Sequence, residues 1–129
     1  MPDKGTASTW LVVTGSGAFA LTTNTVSGTI SSYAVSPVDG SLALSQPVAA
    51  AMRGEEAGSL FPSDMALSNN SRYLYVRNGA NGTIRGFIVH AEGSLTPIAH
   101  AKACPRPRQE LLPARTTNNR AAVKDCGFR

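Results

Sequence analysis

The stretch SRYLYVRNGANGTIRGFIVHAEGSL, residues 71–95, is present twice in this chain, the other copy being weaker. Moved back by 54 positions it falls on residues 17–41. Asn78 then lands on Asn24, Gly82 on Gly28, Thr83 on Thr29, Ile84 on Ile30 and Val89 on Val35, with Phe87 over Tyr33 and Tyr73 over Phe19. Tyr73 to Val76 is aromatic and aliphatic, a composition that fits a pleated surface. Asn78 to Gly82 holds two Asn-Gly steps, which supply the positive φ that a hairpin tip demands. The repeated unit is strand, turn, strand.

Upstream, Trp10 to Thr14 reads as a buried strand between a polar run and Gly15-Ser16-Gly17. Phe19 to Thr23 follows at hairpin spacing, Asn24 to Gly28 is a loop, and Thr29 to Val35 is a third strand with Ile30 and Tyr33 on opposite faces. After the Asp39-Gly40 turn, Ser41 to Pro47 makes a short fourth strand with Leu42 and Leu44 on one face; Pro47 suits an edge, where no ladder donor is lost. Residues 48–61 are small and polar, lack a strand period and predict a crossing loop. The second copy opens at Ser63 to Ser68, turns at Asn69 to Ser71, and continues through Tyr73 to Val76, Thr83 to Val89 and Leu95 to Ala99.

Four short strands joined by tight turns, repeated once at a period near 50 residues, match β-propeller blades better than a sandwich or a closed barrel. The expected fold is all-β: two consecutive four-stranded antiparallel blades over residues 10–47 and 62–101, with an irregular N-terminus over 1–9 and an irregular C-terminal tail over 102–129. Two blades cannot close a ring. At least one apolar sheet face is therefore expected to lie bare unless additional blades or partner chains cover it.

The formal charge of the 129-residue chain is +4, but residues 102–129 hold seven of its twelve Lys and Arg and only two of its eight acids. The repeat region is near neutral and offers no basic face to follow a phosphate backbone, so no nucleic-acid partner is expected. No apolar run reaches the roughly 18 residues that a membrane span needs. The tail, with Pro105, Pro107 and Pro113 and few aliphatic side chains, is expected to be disordered or briefly helical near Gln109 to Leu112. Cys104 and Cys126 are too far apart in sequence for a Cys-x-x-Cys pair and could be bridged or free. The opening residues lack the apolar core of a signal peptide, which makes the cytoplasm the expected compartment if Met1 is the natural start.

Tyr75-Val76-Arg77-Asn78, followed by Gly82-Thr83-Ile84 and Gly93-Ser94-Leu95, resembles the repeat of the lactonase-like seven-bladed β-propellers, the 6-phosphogluconolactonase-like and Tyr-Val-Thr-Asn repeat proteins. Pro62 to Arg72 resembles the stretch that opens a blade there, and Leu21 to Asn24 through Leu42 carries the same marks. Arg77 stands where that repeat usually has Thr. The resemblance covers about residues 10–101. It implies about two of seven blades, the terminal fragment of a larger propeller, truncated at its start or altered in frame near Lys102. It further implies a carbohydrate-metabolism hydrolase, a carboxylic ester hydrolase acting on a sugar lactone such as 6-phosphogluconolactone. A non-catalytic propeller serving as a binding or scaffold module, and a degenerate truncated gene product, are the alternatives.

No histidine-carboxylate-serine set, metal cluster or phosphate-cradling loop can be assembled from the sequence, and no cofactor is expected. The candidate catalytic residues are Asp64, at the start of the first strand of its blade, and Arg77, a rim cation suited to a phosphate or carboxylate. Asp64 fits a turn or cap as readily as catalysis. Asn24 and Asn78, equivalent loop positions, are the candidate ligand-binding residues for a sugar or lactone oxygen. They can equally bond their own backbone to hold the turn. His90 and His100 read as isolated surface side chains.

Overall fold

The computed structural model describes residues 5–52 and 61–102. They form eight strands: β1 Ser8–Val13, β2 Phe19–Asn24, β3 Thr29–Val35, β4 Leu42–Ala51, β5 Pro62–Leu67, β6 Tyr73–Asn78, β7 Thr83–Val89 and β8 Leu95–Lys102. Strands β1 to β4 make one four-stranded sheet and β5 to β8 another, each an antiparallel meander in chain order.

The repeat extends into the turns. The Thr14 N–H donates to the Phe19 carbonyl at 2.9 Å, as Ser68 does to Tyr73 at 2.9 Å; Gly28 donates to Asn24 at 2.8 Å, as Gly82 does to Asn78 at 3.0 Å. Gly28 and Gly82 take φ of 64° and 67°, values that a side chain would oppose.

Several boundaries differ from expectation, among them Asn24 and Asn78, which end β2 and β6 where loop positions were expected. β1 begins at Ser8, which pairs with Asn24 inside the stretch read as irregular. β4 runs on through Val48 to Ala51, into the stretch read as a crossing loop, because Ala50 and Ala51 pair with Ile30 and Thr29. The β3–β4 register shifts between Ile30 and Tyr33, and beside that irregularity the Pro47 carbonyl accepts the Ser31 hydroxyl at 2.7 Å. A donorless residue is tolerated in such an edge. β8 reaches Lys102, paired with Thr83. The rest of the crossing loop and the tail, with Cys104, Cys126 and the helical turn expected near Gln109, lie outside the described residues.

Directly paired residues of antiparallel strands project to one side of a sheet, so the registers sort each blade into two faces. In the first blade the asparagine face carries Leu11, Val13, Ala20, Thr22, Asn24 and Tyr33, and the reverse face carries Val12, Leu21, Thr23 and Ile30. In the second, the asparagine face carries Met65, Leu74, Val76, Asn78 and Phe87, and the reverse face carries Asp64, Tyr75, Arg77 and Ile84. The core joins the first blade's reverse face to the second blade's asparagine face: Leu21, Ile30 and Met52 pack with Met65, Leu74, Val76, Phe87 and Leu95. β5 lies on β1 and β2, and β8 lies on β4, so equivalent strands stack.

Polar ties flank this core. The Gly15 N–H donates to the Ser71 hydroxyl at 2.7 Å, and the Thr25 hydroxyl donates to the Pro62 carbonyl at 2.9 Å. Gly93, at φ +81°, fits under the first blade so closely that a Cβ there would meet Phe19 and Ser32 at 2.6 Å.

Candidate functional site

Asp64 and Arg77 are brought together by register. After a shift at Pro62 the two residues pair across β5 and β6, so their side chains share the reverse face, and both are exposed. The Arg77 guanidinium donates from Nη1 to the Ser63 hydroxyl at 3.4 Å. Among the described residues Asp64 has no hydrogen-bond partner, which leaves its carboxylate turned to solvent beside a loosely held cation. The Thr25–Pro62 bond places the β2–β3 loop of the first blade at this same end of the stack.

Ser63 did not emerge from the sequence. Its neighbour Asp64 drew attention as a charge, whereas one hydroxyl in a chain rich in Ser and Thr carries no signal of its own. The Arg77 contact identifies it.

Asn24 and Asn78 occupy equivalent places, and both are fully buried. Asn24 Oδ1 accepts the Ser8 hydroxyl at 2.7 Å, and its Nδ2 donates to Thr29 Oγ1 at 3.2 Å and to Ser31 Oγ at 2.8 Å. Gly5 lies against the amide so closely that any Cβ there would overlap it. The side chain thus ties three strands of its blade and holds the β2–β3 turn. Asn78 repeats half of this, with Nδ2 donating to Thr83 Oγ1 at 2.8 Å, while its buried Oδ1 has no partner among the described residues. The register supplies the reason: Pro62 faces Asn78 where Ser8 faces Asn24, and proline has no hydroxyl to offer.

His90 Nε2 lies 2.8 Å from Thr96 Oγ1, near the turn before β8 and apart from Asp64 and Arg77 in the register. Among the described residues no three His, Cys, Asp or Glu side chains gather as metal ligands. In the two β3–β4 and β7–β8 turns, acids are held ionised by local hydroxyls. The Ser36 and Ser41 side chains and the Ser41 N–H keep the Asp39 carboxyl down at about 2, and the Ser94 hydroxyl, 2.6 Å away, lowers that of Glu92.

Two stacked four-stranded meanders, with equivalent strands facing and one short motif per sheet, define the chain as β-propeller blades. Its residues 3–111 match the family model described as lactonase, 7-bladed beta-propeller, and the chain belongs to that family. Among solved structures it is similar to a protein from Lactobacillus plantarum, with 23% identity, a TM-score of 0.69, and 76% of this chain matched to 28% of that one. It is similar also to the periplasmic gluconolactonase of Pseudomonas aeruginosa, at 25% identity and TM-score 0.65, covering 76% of this chain and 27% of the other. A candidate 6-phosphogluconolactonase from Bacteroides fragilis matches at 27% identity and TM-score 0.65, over 81% of this chain and 28% of its own. The chain thus spans less than a third of each of these structures. No curated protein matches it.

Proposed function

We propose that the chain is part of a propeller that hydrolyses a sugar lactone, with Asp64 and Arg77 at the working edge. The observation that carries this reading is the solvent-facing carboxylate paired in register with an exposed guanidinium on the first two strands of a blade. Family membership, and structural neighbours named gluconolactonase and 6-phosphogluconolactonase, support a sugar lactone as the substrate class.

In this reading Asp64 accepts a proton from water as the water oxygen bonds to the lactone carbonyl carbon. Arg77, steadied by Ser63, donates to the oxygen on which negative charge collects. The ring C–O bond then breaks, the proton passes from Asp64 to the departing alkoxide, and the open-chain carboxylic acid gives its own proton to bulk water and leaves as a carboxylate beside Arg77. Asn24 and Asn78 serve from behind, by fixing the β2–β3 and β6–β7 turns that frame this end.

The test is hydrolysis of glucono-δ-lactone and its 6-phosphate by the chain, with folding of each variant checked by circular dichroism. Asp64→Asn should lower turnover about 100-fold or more, the usual share of a general base. Arg77→Ala should weaken the phosphorylated substrate more than the neutral one. Equal rates in Asp64→Asn and the parent chain would overturn the assignment. Saturable sugar-lactone binding without turnover would favour a binding module.

A further inference from the structure

We infer that Ser63 is a second hydrogen-bond donor to the reacting lactone oxygen, its hydroxyl forming with Arg77 a two-donor seat that Gly79 leaves open. This role rests on the lactone reading of the same edge; the first blade shows what the corner looks like when it is closed.

The first strand of each blade carries one extra residue, Thr9 in β1 and Ser63 in β5, where the register shifts against the strand beside it. In the first blade that hydroxyl is spent. Thr9 Oγ1 lies 2.5 Å from Thr25 Oγ1 and 3.3 Å from Thr23 Oγ1. The Thr25 proton goes to the Pro62 carbonyl at 2.9 Å, so Thr9 donates to Thr25 and the corner is filled.

In the second blade the positions of Thr9, Thr23 and Thr25 are held by Ser63, Arg77 and Gly79. Arg77 donates from Nη1 to the Ser63 oxygen at 3.4 Å, and among the described residues no acceptor takes the Ser63 proton. Gly79 removes the hydroxyl that would have taken it. A Cβ there would lie 3.3 Å from Ser63 Oγ. The backbone does not call for glycine here, since Gly79, unlike Gly82, is not at positive φ and threonine fills the equivalent place. What the glycine provides is room.

A hydroxyl that accepts from a guanidinium becomes a better donor, because the two hydrogen bonds polarise one another. The unspent Ser63 proton and the remaining guanidinium N–H groups border a space without a side chain, and donors of this kind suit an oxygen that gains negative charge. As water adds to the lactone carbonyl, that oxygen takes the charge. Ser63 lends it a hydrogen bond and keeps its own proton, and the charge returns to the C=O bond when the ring C–O bond breaks. The corner does not depend on what meets the rest of the sheet. Inside the chain Thr25 ties it to Pro62 of the following blade, and Gly79 has no hydroxyl to make such a tie to any blade seated on the second.

Two measurements on the full chain test this in Ser63→Ala, Ser63→Thr and Gly79→Thr, with folding checked by circular dichroism. One is turnover of glucono-δ-lactone. The other is NMR of the Arg77 Nε–H group during titration with gluconate, whose carboxylate stands in for the charged oxygen. Ser63→Ala should lower kcat about 10-fold or more with KM nearly unchanged, less than in an enclosed oxyanion hole because water reaches this edge. Ser63→Thr keeps the hydroxyl and should stay within about threefold of the parent. Gly79→Thr rebuilds the first blade's hydroxyl pair, so it should lower kcat to the level of Ser63→Ala and abolish the gluconate-induced shift of Arg77. Full turnover in both Ser63→Ala and Gly79→Thr would overturn the role of Ser63 and leave the lactone reading standing. A parent chain without turnover that binds gluconate more tightly than both of those variants would overturn lactone hydrolysis and keep the two-donor seat. Neither turnover nor a gluconate shift would overturn both.

Discussion

At the scale of single residues, the repeat explains an oddity of Ser71. It occupies the position of Gly17 in the first blade and, like that glycine, takes positive φ, 54° against 71°. A residue with a Cβ is strained there by roughly 1–2 kcal/mol. Its hydroxyl accepts the Gly15 N–H of the other blade at 2.7 Å, a bond worth about 1 kcal/mol, which offsets much of the strain. Ser71→Ala keeps the strain and loses the bond, so it should destabilise by about 1 kcal/mol. Ser71→Gly loses both and should stay within about 0.5 kcal/mol of the parent. Denaturant unfolding of the three proteins should rank alanine last; a glycine variant less stable than the alanine one would show that the positive φ carries no strain for a residue with a Cβ.

At the scale of elements, the turns give a signed pH dependence. Asp39 is held from its ordinary 3.8 down to about 2, chiefly by the Ser36 side chain and then by Ser41. The folded value lies below the unfolded one, so the stabilisation is complete above roughly pH 4 and fades as pH falls toward 2. Carbon-detected NMR titration should place the Asp39 midpoint near 2, and Ser36→Ala should raise it more than a Ser41 hydroxyl deletion. A midpoint at the ordinary value would remove the turn from the account. The same β3–β4 region shows what the sequence could and could not reveal. Strands with alternating bulk and Asn-Gly turns were legible because packing and φ constrain them locally, and β3 and β7 fall within the expected bounds. The end of β4 was not, since alanines carry no period and their strand state depends on Ile30 and Thr29 across the ladder. At the site, Asp64 and Arg77 stood out as charges, but their pairing rests on a register shift at Pro62 that no local pattern announces.

At the scale of the molecule, the two sides of the second blade are a matched experiment in burial. Phe87, on the asparagine face, packs in the core between the blades and is buried, whereas Tyr75, on the reverse face of the same sheet, is about half exposed. Phe87→Ala should cost about 3–5 kcal/mol, the loss of a buried ring plus the cavity it leaves. Tyr75→Ala should cost less than that, because about half of its side chain already meets water. Denaturant unfolding of the two variants and the parent should show that gap, and a Tyr75→Ala deficit equal to that of Phe87→Ala would mean that the two sides of the sheet are enclosed alike.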